Sequence, residues 1–229
     1  MSDAAEGRLR CGECGAEAPA AARCPGCGHL MPFAPGSDHW AVLGLPRRLT
    51  LDRADLERRL HELSRRFHPD FYRLRSPAEQ AQSLQNSAAV NTAYRTLRDP
   101  VGRAEYVLAA EGLAGNAGSP AKPPADLFEE IMEIQEARQE LASVPPAETL
   151  VLVDRLRAAQ ADLEGRRAAT EAALPAIFAR WDAAPAEEQR LILGEMRDLL
   201  GRRAYLRTVL RDLEATLDGG DRVEERAER

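Results

Sequence analysis

The sequence predicts an all-α protein that carries a small metal-binding module at its N-terminus. Its Gly and Pro residues, 16 and 15 of 229, are concentrated in a few stretches, which leaves long segments of good helix formers. Apolar residues make up 44% and charged residues 30% of the chain, which is typical of a globular protein and not of a disordered one. Outside the cysteine-rich N-terminus, no clear alternation of apolar and polar residues predicts a strand.

The length favours two or three small domains. The first segment is rich in Gly, Pro and Cys, the two long segments are rich in helix formers, and a Gly- and Pro-rich stretch separates them. We therefore expect a zinc-binding ribbon at residues 1–36, a first helical domain at 37–112 and a linker at 113–124. An antiparallel three-helix bundle follows at 125–218, and a charged tail at 219–229.

The first helical domain contains four predicted helices. Asp38 can cap a short helix that ends before Pro46, and Asp52 can cap a longer one that runs to about His68. Pro77 suits the first turn of a third helix, which reaches about Leu97. A fourth helix begins near Pro100.

The predicted bundle is divided by its prolines. Pro145 and Pro146 end its first helix and begin its second, and Pro185 begins its third. Pro175 should kink or break the second helix, because proline cannot donate a backbone hydrogen bond. The last helix has its apolar residues on one face, at Leu206, Leu210, Leu213 and Leu217.

The four cysteines of the chain form two Cys-x-x-Cys-Gly knuckles. Two such knuckles can supply four thiolates to a tetrahedral ion, and the glycine allows the tight turn that aims backbone amides at the sulfurs. A closed site of this kind predicts structural Zn²⁺ and not a catalytic metal. A redox or iron–sulfur role, or a flexible tail with incidental cysteines, is the alternative. The predicted ligands are Cys11, Cys14, Cys24 and Cys27.

Charge and hydropathy exclude several classes of protein. The net charge of −6 argues against a chain whose main role is to coat nucleic acid. No run of eighteen apolar residues predicts a membrane span, and the first ten residues lack the apolar centre of a secretory signal. Since the cysteines are confined to the predicted metal site, we expect a cytoplasmic protein.

A basic amphipathic helix leads into a His-Pro-Asp tripeptide. Its apolar residues Leu56, Leu60, Leu63 and Phe67 fall on one side of the helical wheel. Four arginines lie on the opposite side and its flank, at Arg58, Arg59, Arg65 and Arg66. Pro69 moves His68 out of helical geometry, so that the tripeptide forms a loop at the end of the helix.

This arrangement resembles a J-domain, and four stretches are more specific. The segments HWAVLGLP, RRFHPDFY, AAVNTAYRTLRDP and GRAEYVL resemble the HscB family, the J-proteins of iron–sulfur cluster assembly. The resemblance covers about residues 38–218. The cysteine knuckles are similar to those of the zinc-bearing branch of that family.

The resemblance implies a co-chaperone with no active site of its own. In the family, the loop and the basic helix dock on an HscA/DnaK-type ATPase and stimulate ATP hydrolysis. Carried over, His68, Pro69 and Asp70 form the loop, and the four arginines of the basic helix are candidate docking charges. Physically, the arginines would meet an acidic surface, while the loop biases the chaperone between two conformational states.

The first helix of the bundle combines an apolar core face with an acidic stripe. Its core face holds Leu127, Ile131, Ile134 and Leu141. In the HscB family the corresponding helix binds the IscU-type cluster scaffold. The residues that match its contacts are Phe128, Met132, Glu133, Glu136 and Glu140, together with Tyr205 on the last helix. The chain departs from the family pattern at Glu129, where the family has an apolar residue.

Three other interpretations are weaker. A general J-protein with a different client would share the loop but not the scaffold contacts. A zinc-ribbon nucleic-acid binder is disfavoured by the low aromatic content and the acidic bundle. An enzyme is disfavoured because the remaining histidines, His29, His39 and His61, form no evident constellation with a nucleophile or a carboxylate pair.

Overall fold

The computed structural model describes residues 8–20, 23–113, 125–141 and 146–227. The chain separates into two compact units, Met1–Arg103 and Ala104–Arg229. Within the described residues the fold is helical apart from a two-stranded sheet, in agreement with the all-α prediction. The predicted linker lies outside the described residues apart from Leu113. The bounds of the five segments given above stay predictions.

The N-terminal ribbon is an antiparallel hairpin followed by a second turn of the same kind. Strands β1 (Arg8–Arg10) and β2 (Glu17–Pro19) pair with Leu9 opposite Ala18. An isolated antiparallel bridge joins Arg23 to Leu30 around the second pair of cysteines. Each bridge therefore closes a loop that contains one Cys-x-x-Cys knuckle.

The first unit also contains three helices that begin where Asp38, Asp52 and Pro77 predict. They are α1 (His39–Leu43), α2 (Arg53–Phe67) and α3 (Pro77–Arg98). The carboxylates of Asp38 and Asp52 accept hydrogen bonds from the amides of residues 41 and 54 at 2.7 and 2.8 Å. Both α1 and α2 pack against α3, and a short 3₁₀ helix, Pro69–Tyr72, connects α2 towards α3.

The boundary between the units falls within α4 (Pro100–Ala110). The second unit contains the predicted three-helix bundle, formed by α5 (Phe128–Leu141), α6 (Pro146–Ala183) and α7 (Ala186–Ala227). Its core confirms the predicted faces, because the four leucines of α7 and the residues Leu127, Ile131 and Ile134 are buried, while Leu141 is half-buried against them. None of the helices among the described residues combines the length and apolarity needed to cross a bilayer.

Pro175 does not break the second helix of the bundle, since α6 continues through it as a single helix, so this part of the prediction is wrong. The kink at Pro175 stays a prediction. Interhelical ion pairs lie on both sides of the proline. Arg203 of α7 donates to Glu171 at 2.7 Å, and Arg180 donates to Glu195 of α7 at 2.8 and 3.0 Å. Since Leu174 beside the proline is fully buried, packing against α7 outweighs the one backbone hydrogen bond that proline cannot make.

Candidate metal centre and His-Pro-Asp loop

The four predicted metal ligands lie together at the ends of the two knuckles. Their sulfur atoms all lie within 4.8 Å of one another. The Sγ atoms of Cys11 and Cys27 are 3.5 Å apart, and those of Cys14 and Cys24 are 3.6 Å apart. None of the four cysteines is part of a disulfide.

The two knuckles have the same backbone geometry. The carbonyl of Cys11 accepts a hydrogen bond from the Gly15 amide at 2.8 Å, and the carbonyl of Cys24 accepts one from the Gly28 amide at 2.8 Å. Both glycines are left-handed, with φ of 73° and 74°, which explains why the sequence has glycine after each pair. Two equivalent turns thus present two pairs of sulfurs to one point.

The cluster fits a metal ion with four thiolate ligands. A tetrahedral ion with metal–sulfur bonds of about 2.3 Å separates its sulfurs by about 3.8 Å, close to the distances in the cluster. Cys11 and Cys24 are buried with Ala18 and Met31, whereas Cys14 and Cys27 face solvent. A bound ion would therefore link two buried cysteines in the small apolar core of the ribbon to two cysteines at its surface.

The backbone prepares the first cysteine of each knuckle to be a thiolate. The amide of Cys27 lowers the pKa of Cys24 to about 7, with the Gly26 amide adding to the effect. The amides of Cys14 and Glu13 similarly lower the pKa of Cys11. At Cys27 the His29 amide alone would lower the pKa, but burial and the three neighbouring thiols together raise it to about 12. A cation that binds all four sulfurs must therefore displace protons.

The His-Pro-Asp tripeptide is displayed at the end of α2. His68 has extended backbone geometry, as the following proline predicts, and ends the helix. Its Nδ1 accepts a hydrogen bond from the Asp70 amide at 3.2 Å. The His68 and Asp70 side chains are 54% and 57% exposed, and Arg73 donates to the Asp70 carboxylate at 3.0 Å.

Two buried aromatic residues hold the ends of this exposed loop. Phe67 and Tyr72 are 0% and 2% exposed. The Tyr72 hydroxyl donates to the Arg66 carbonyl at 3.0 Å, and the buried Ser83 hydroxyl of α3 donates to the Phe67 carbonyl at 2.8 Å. The loop thus presents its polar groups from a fixed base.

The four arginines predicted as docking charges do not share one environment. Arg58 is exposed and paired with Asp55, while Arg59 is half-buried and lies 3.5 Å from Glu62. Arg65 and Arg66 are exposed in the last turn, next to the loop. These ion pairs are local and solvent-exposed, so the arginines remain available to an acidic surface at little cost.

In the second unit, α5 exposes the two apolar residues singled out above. Phe128 and Met132 are 53% and 45% exposed, although the core face of the same helix is buried. Glu133, Glu136 and Glu140 are exposed, as is Glu129. Tyr205 of α7 is half-buried against the bundle core, and burial raises the pKa of its hydroxyl. The predicted scaffold contacts and the loop therefore lie in different units.

Sequence reasoning missed several residues that shape the loop. Arg73, which binds the Asp70 carboxylate, had no signal beyond its basic surroundings. Neither the burial of Tyr72 nor the hydrogen bond of the Ser83 hydroxyl had a local signal in the sequence. Phe71 is 70% exposed, with its ring 6.1 Å from the His68 imidazole.

Comparison with known proteins finds HscB co-chaperones, the family that the sequence resembles. The chain is 37% identical over 110 residues to the co-chaperone protein HscB homologs of two Aliivibrio fischeri strains, and 38% identical over 76 residues to the co-chaperone protein HscB of Proteus mirabilis. The alignments cover 47% and 33% of this chain. The chain resembles the HscB co-chaperones. No family model matches it.

The sequence similarity to HscB covers only part of each protein. The matched segments span 61% of the length of the Aliivibrio relatives and 44% of the Proteus relative. The crystal structure of human co-chaperone protein HscB is similar in fold, with a TM-score of 0.65 and 23% identity, over 90% of this chain and 98% of that one. The HscB-like fold therefore extends well beyond the segment of clear sequence similarity.

Proposed function

We propose that this chain is a J-type co-chaperone of iron–sulfur cluster assembly that stimulates the ATPase of an HscA/DnaK-type chaperone. The observation that carries the proposal is the loop itself. His68 and Asp70 are exposed, while Phe67 directly before the tripeptide and Tyr72 two residues after it are buried. A loop of this kind can enter a partner site without losing much conformational entropy, which favours binding.

The electrostatics of α2 supports a chaperone as the partner. The exposed arginines of its last turn lie beside the loop, in a chain with a net charge of −6. A local basic surface on an acidic protein accelerates encounter with an acidic partner surface and makes the association rate fall with salt. We assign the docking charges to Arg58, Arg59, Arg65 and Arg66, and the stimulation itself to His68, Pro69 and Asp70.

The test of this assignment is the steady-state ATPase of an HscA-like chaperone. We expect His68→Gln to abolish stimulation while far-UV circular dichroism remains that of the parent. His61→Gln is a matched control, because it removes another exposed histidine of α2 and leaves the loop intact. Stimulation by His68→Gln that equals stimulation by the parent would refute the J-type mechanism.

The proposal extends to the client, which we assign to an IscU-type scaffold bound by the bundle. Exposed Phe128 and Met132 are one turn apart on α5 and lie beside exposed glutamates. Large apolar side chains in such a position typically serve as interface anchors, with the charged rim adding specificity. Glu133, Glu136, Glu140 and Tyr205 complete the proposed surface.

Adding the scaffold to the ATPase assay tests this second assignment separately. We expect the scaffold to raise stimulation further, and Phe128→Ala with Met132→Ala to remove that increment. Leu150→Ala with Val151→Ala is the matched control, since these side chains of α6 are 60% and 71% exposed. Stimulation that is indifferent to the scaffold would favour a general J-protein with another client.

In this role the four cysteines hold a structural Zn²⁺. Four thiolates are the ligand set that zinc prefers in closed sites, and they leave no open position for catalysis. We expect one equivalent of zinc per chain, measured by metal analysis of protein purified under reducing conditions. A redox-active cluster in its place would give visible absorbance, which four-thiolate zinc lacks.

A further inference from the structure

The ribbon contacts the rest of the first unit at the two residues that hold the His-Pro-Asp loop. The Phe33 ring packs edge-to-face on Phe67, with centroids 5.6 Å apart and planes at 72°. The Arg23 guanidinium lies 5.6 Å from the centroid of the Tyr72 ring. Phe67 immediately precedes His68, and Tyr72 ends the 3₁₀ helix that contains Asp70. One ribbon side chain therefore contacts each end of the loop.

A buried hydrogen bond fixes the ribbon to α3 as well. The Asn86 side chain donates to the Met31 carbonyl at 3.0 Å, and its own oxygen accepts from Gln82 at 2.9 Å. Ser83, which donates to the Phe67 carbonyl, lies one turn earlier on the same helix. Adjacent polar residues of α3 thus bind the ribbon and the end of α2.

The contacting residues of the ribbon are themselves positioned by the knuckles. Met31 is buried against Cys11 and Cys24. Arg23 directly precedes Cys24, and its guanidinium donates to the Gly28 carbonyl at 3.0 Å, across the second knuckle. A ribbon with so small an apolar core depends on its metal to fold. The positions of these side chains therefore depend on the ion.

We infer that the metal-loaded ribbon is the positioning element of the His-Pro-Asp loop. Metal binding folds the ribbon, the folded ribbon contacts Phe67 and Tyr72, and these residues restrict the loop to the conformation in which His68 and Asp70 lie together. An effect of the ribbon on chaperone stimulation rests on the proposed co-chaperone role. The coupling between metal binding and the conformation of the loop does not rest on that role.

The coupling is tested by hydrogen exchange of the full chain, with mass spectrometry on peptides that span residues 67–74. The amides of Asp70 and Phe71 donate within the loop, to the His68 ring and to the His68 carbonyl. Loss of one aromatic or cation–π contact should speed their exchange about fivefold, and chelation of the zinc more than about tenfold. Peptides from α6 and α7 should exchange as before.

Two variants separate the contacts from the metal itself. Arg23→Ala and Phe33→Ala keep all four cysteines, so each should retain one equivalent of zinc while the loop exchanges faster. Arg8→Ala is the matched control, because this arginine is 73% exposed and pairs with Glu17 inside the ribbon. Unchanged exchange of the loop after zinc removal would overturn the inference, as would equal effects of Arg23→Ala and Arg8→Ala.

The chaperone ATPase assay provides an independent second readout. We expect Arg23→Ala to lower stimulation several-fold at subsaturating concentrations and Arg8→Ala to leave it unchanged. Loop exchange that responds to zinc, in a parent chain that stimulates no chaperone, would uphold the coupling and refute the proposed function. Normal stimulation by a chain whose loop exchanges at the same rate with and without zinc would uphold the proposed function and refute the coupling.

Discussion

Replacement of Ser83 by alanine tests the hydrogen bond that holds the end of α2 beneath the loop. The Ser83 hydroxyl is buried and donates to the Phe67 carbonyl at 2.8 Å. That carbonyl belongs to the last residue of α2, where carbonyls have no partner within the helix. Alanine would leave it buried and without its donor.

The magnitude follows from two opposing contributions. Leaving a buried carbonyl unsatisfied costs about 1–3 kcal/mol, whereas Ser→Ala in a helix contributes about 0.5 kcal/mol of stabilisation. We therefore expect the free energy of unfolding of the first unit to fall by about 0.5–2.5 kcal/mol. At a urea dependence of about 1.5 kcal/mol per molar, the mid-range value lowers the unfolding midpoint by about 1 M.

Tryptophan fluorescence during urea denaturation measures this change. Trp40 is 1% exposed in the first unit, and the only other tryptophan, Trp181, is replaced by phenylalanine in every variant. Ser87→Ala is the control, because Ser87 lies one turn further along α3 and is half-buried. The two substitutions share the gain in helix propensity. If Ser83→Ala proves as stable as Ser87→Ala, the proposed role of this hydrogen bond is refuted.

Three further predictions concern the bundle and the metal centre. Pro175→Ala should raise the free energy of unfolding of the bundle by about 1–2 kcal/mol in urea denaturation, because it restores a backbone donor inside α6; a decrease would contradict our account of that helix. Cys11→Ser and Cys24→Ser should each lose stoichiometric zinc in metal analysis while circular dichroism retains the helicity of the bundle; a chelator that melts the whole protein would argue against separate units. Since zinc binds thiolates and must displace the protons of the cysteines, its affinity in chelator competition should rise with pH between about 6 and 8, and an affinity that is independent of pH would contradict this.

Most of the candidate site could be predicted because its chemistry is local in sequence. The cysteine spacing and the glycines determine the two knuckles, since a thiolate pair three residues apart needs only one turn of backbone. Pro69 determines the end of α2 for an equally local reason. The buried faces of α5 and α7 followed from helical periodicity, which depends on residue spacing within one helix.

The exception within a single element was Pro175. Its missing hydrogen bond is a local property, but its effect on α6 depended on α7. Ion pairs to Arg203 and Glu195 lie on either side of the proline, and the apolar residue beside it is buried. Sequence reasoning counts the lost backbone bond but not the packing that a second helix supplies.

The sequence by itself determined the helices, the two cysteine knuckles and the loop, because each depends on residues within a few positions of one another. Only the tertiary structure decided what holds the loop. Met31 and Asn86 are 55 residues apart, and no local pattern pairs them. Arg23 and Tyr72 likewise meet only because the ribbon packs on the first unit. Contacts between distant segments depend on how whole elements pack, and that packing is a property of the folded chain and not of any stretch of it.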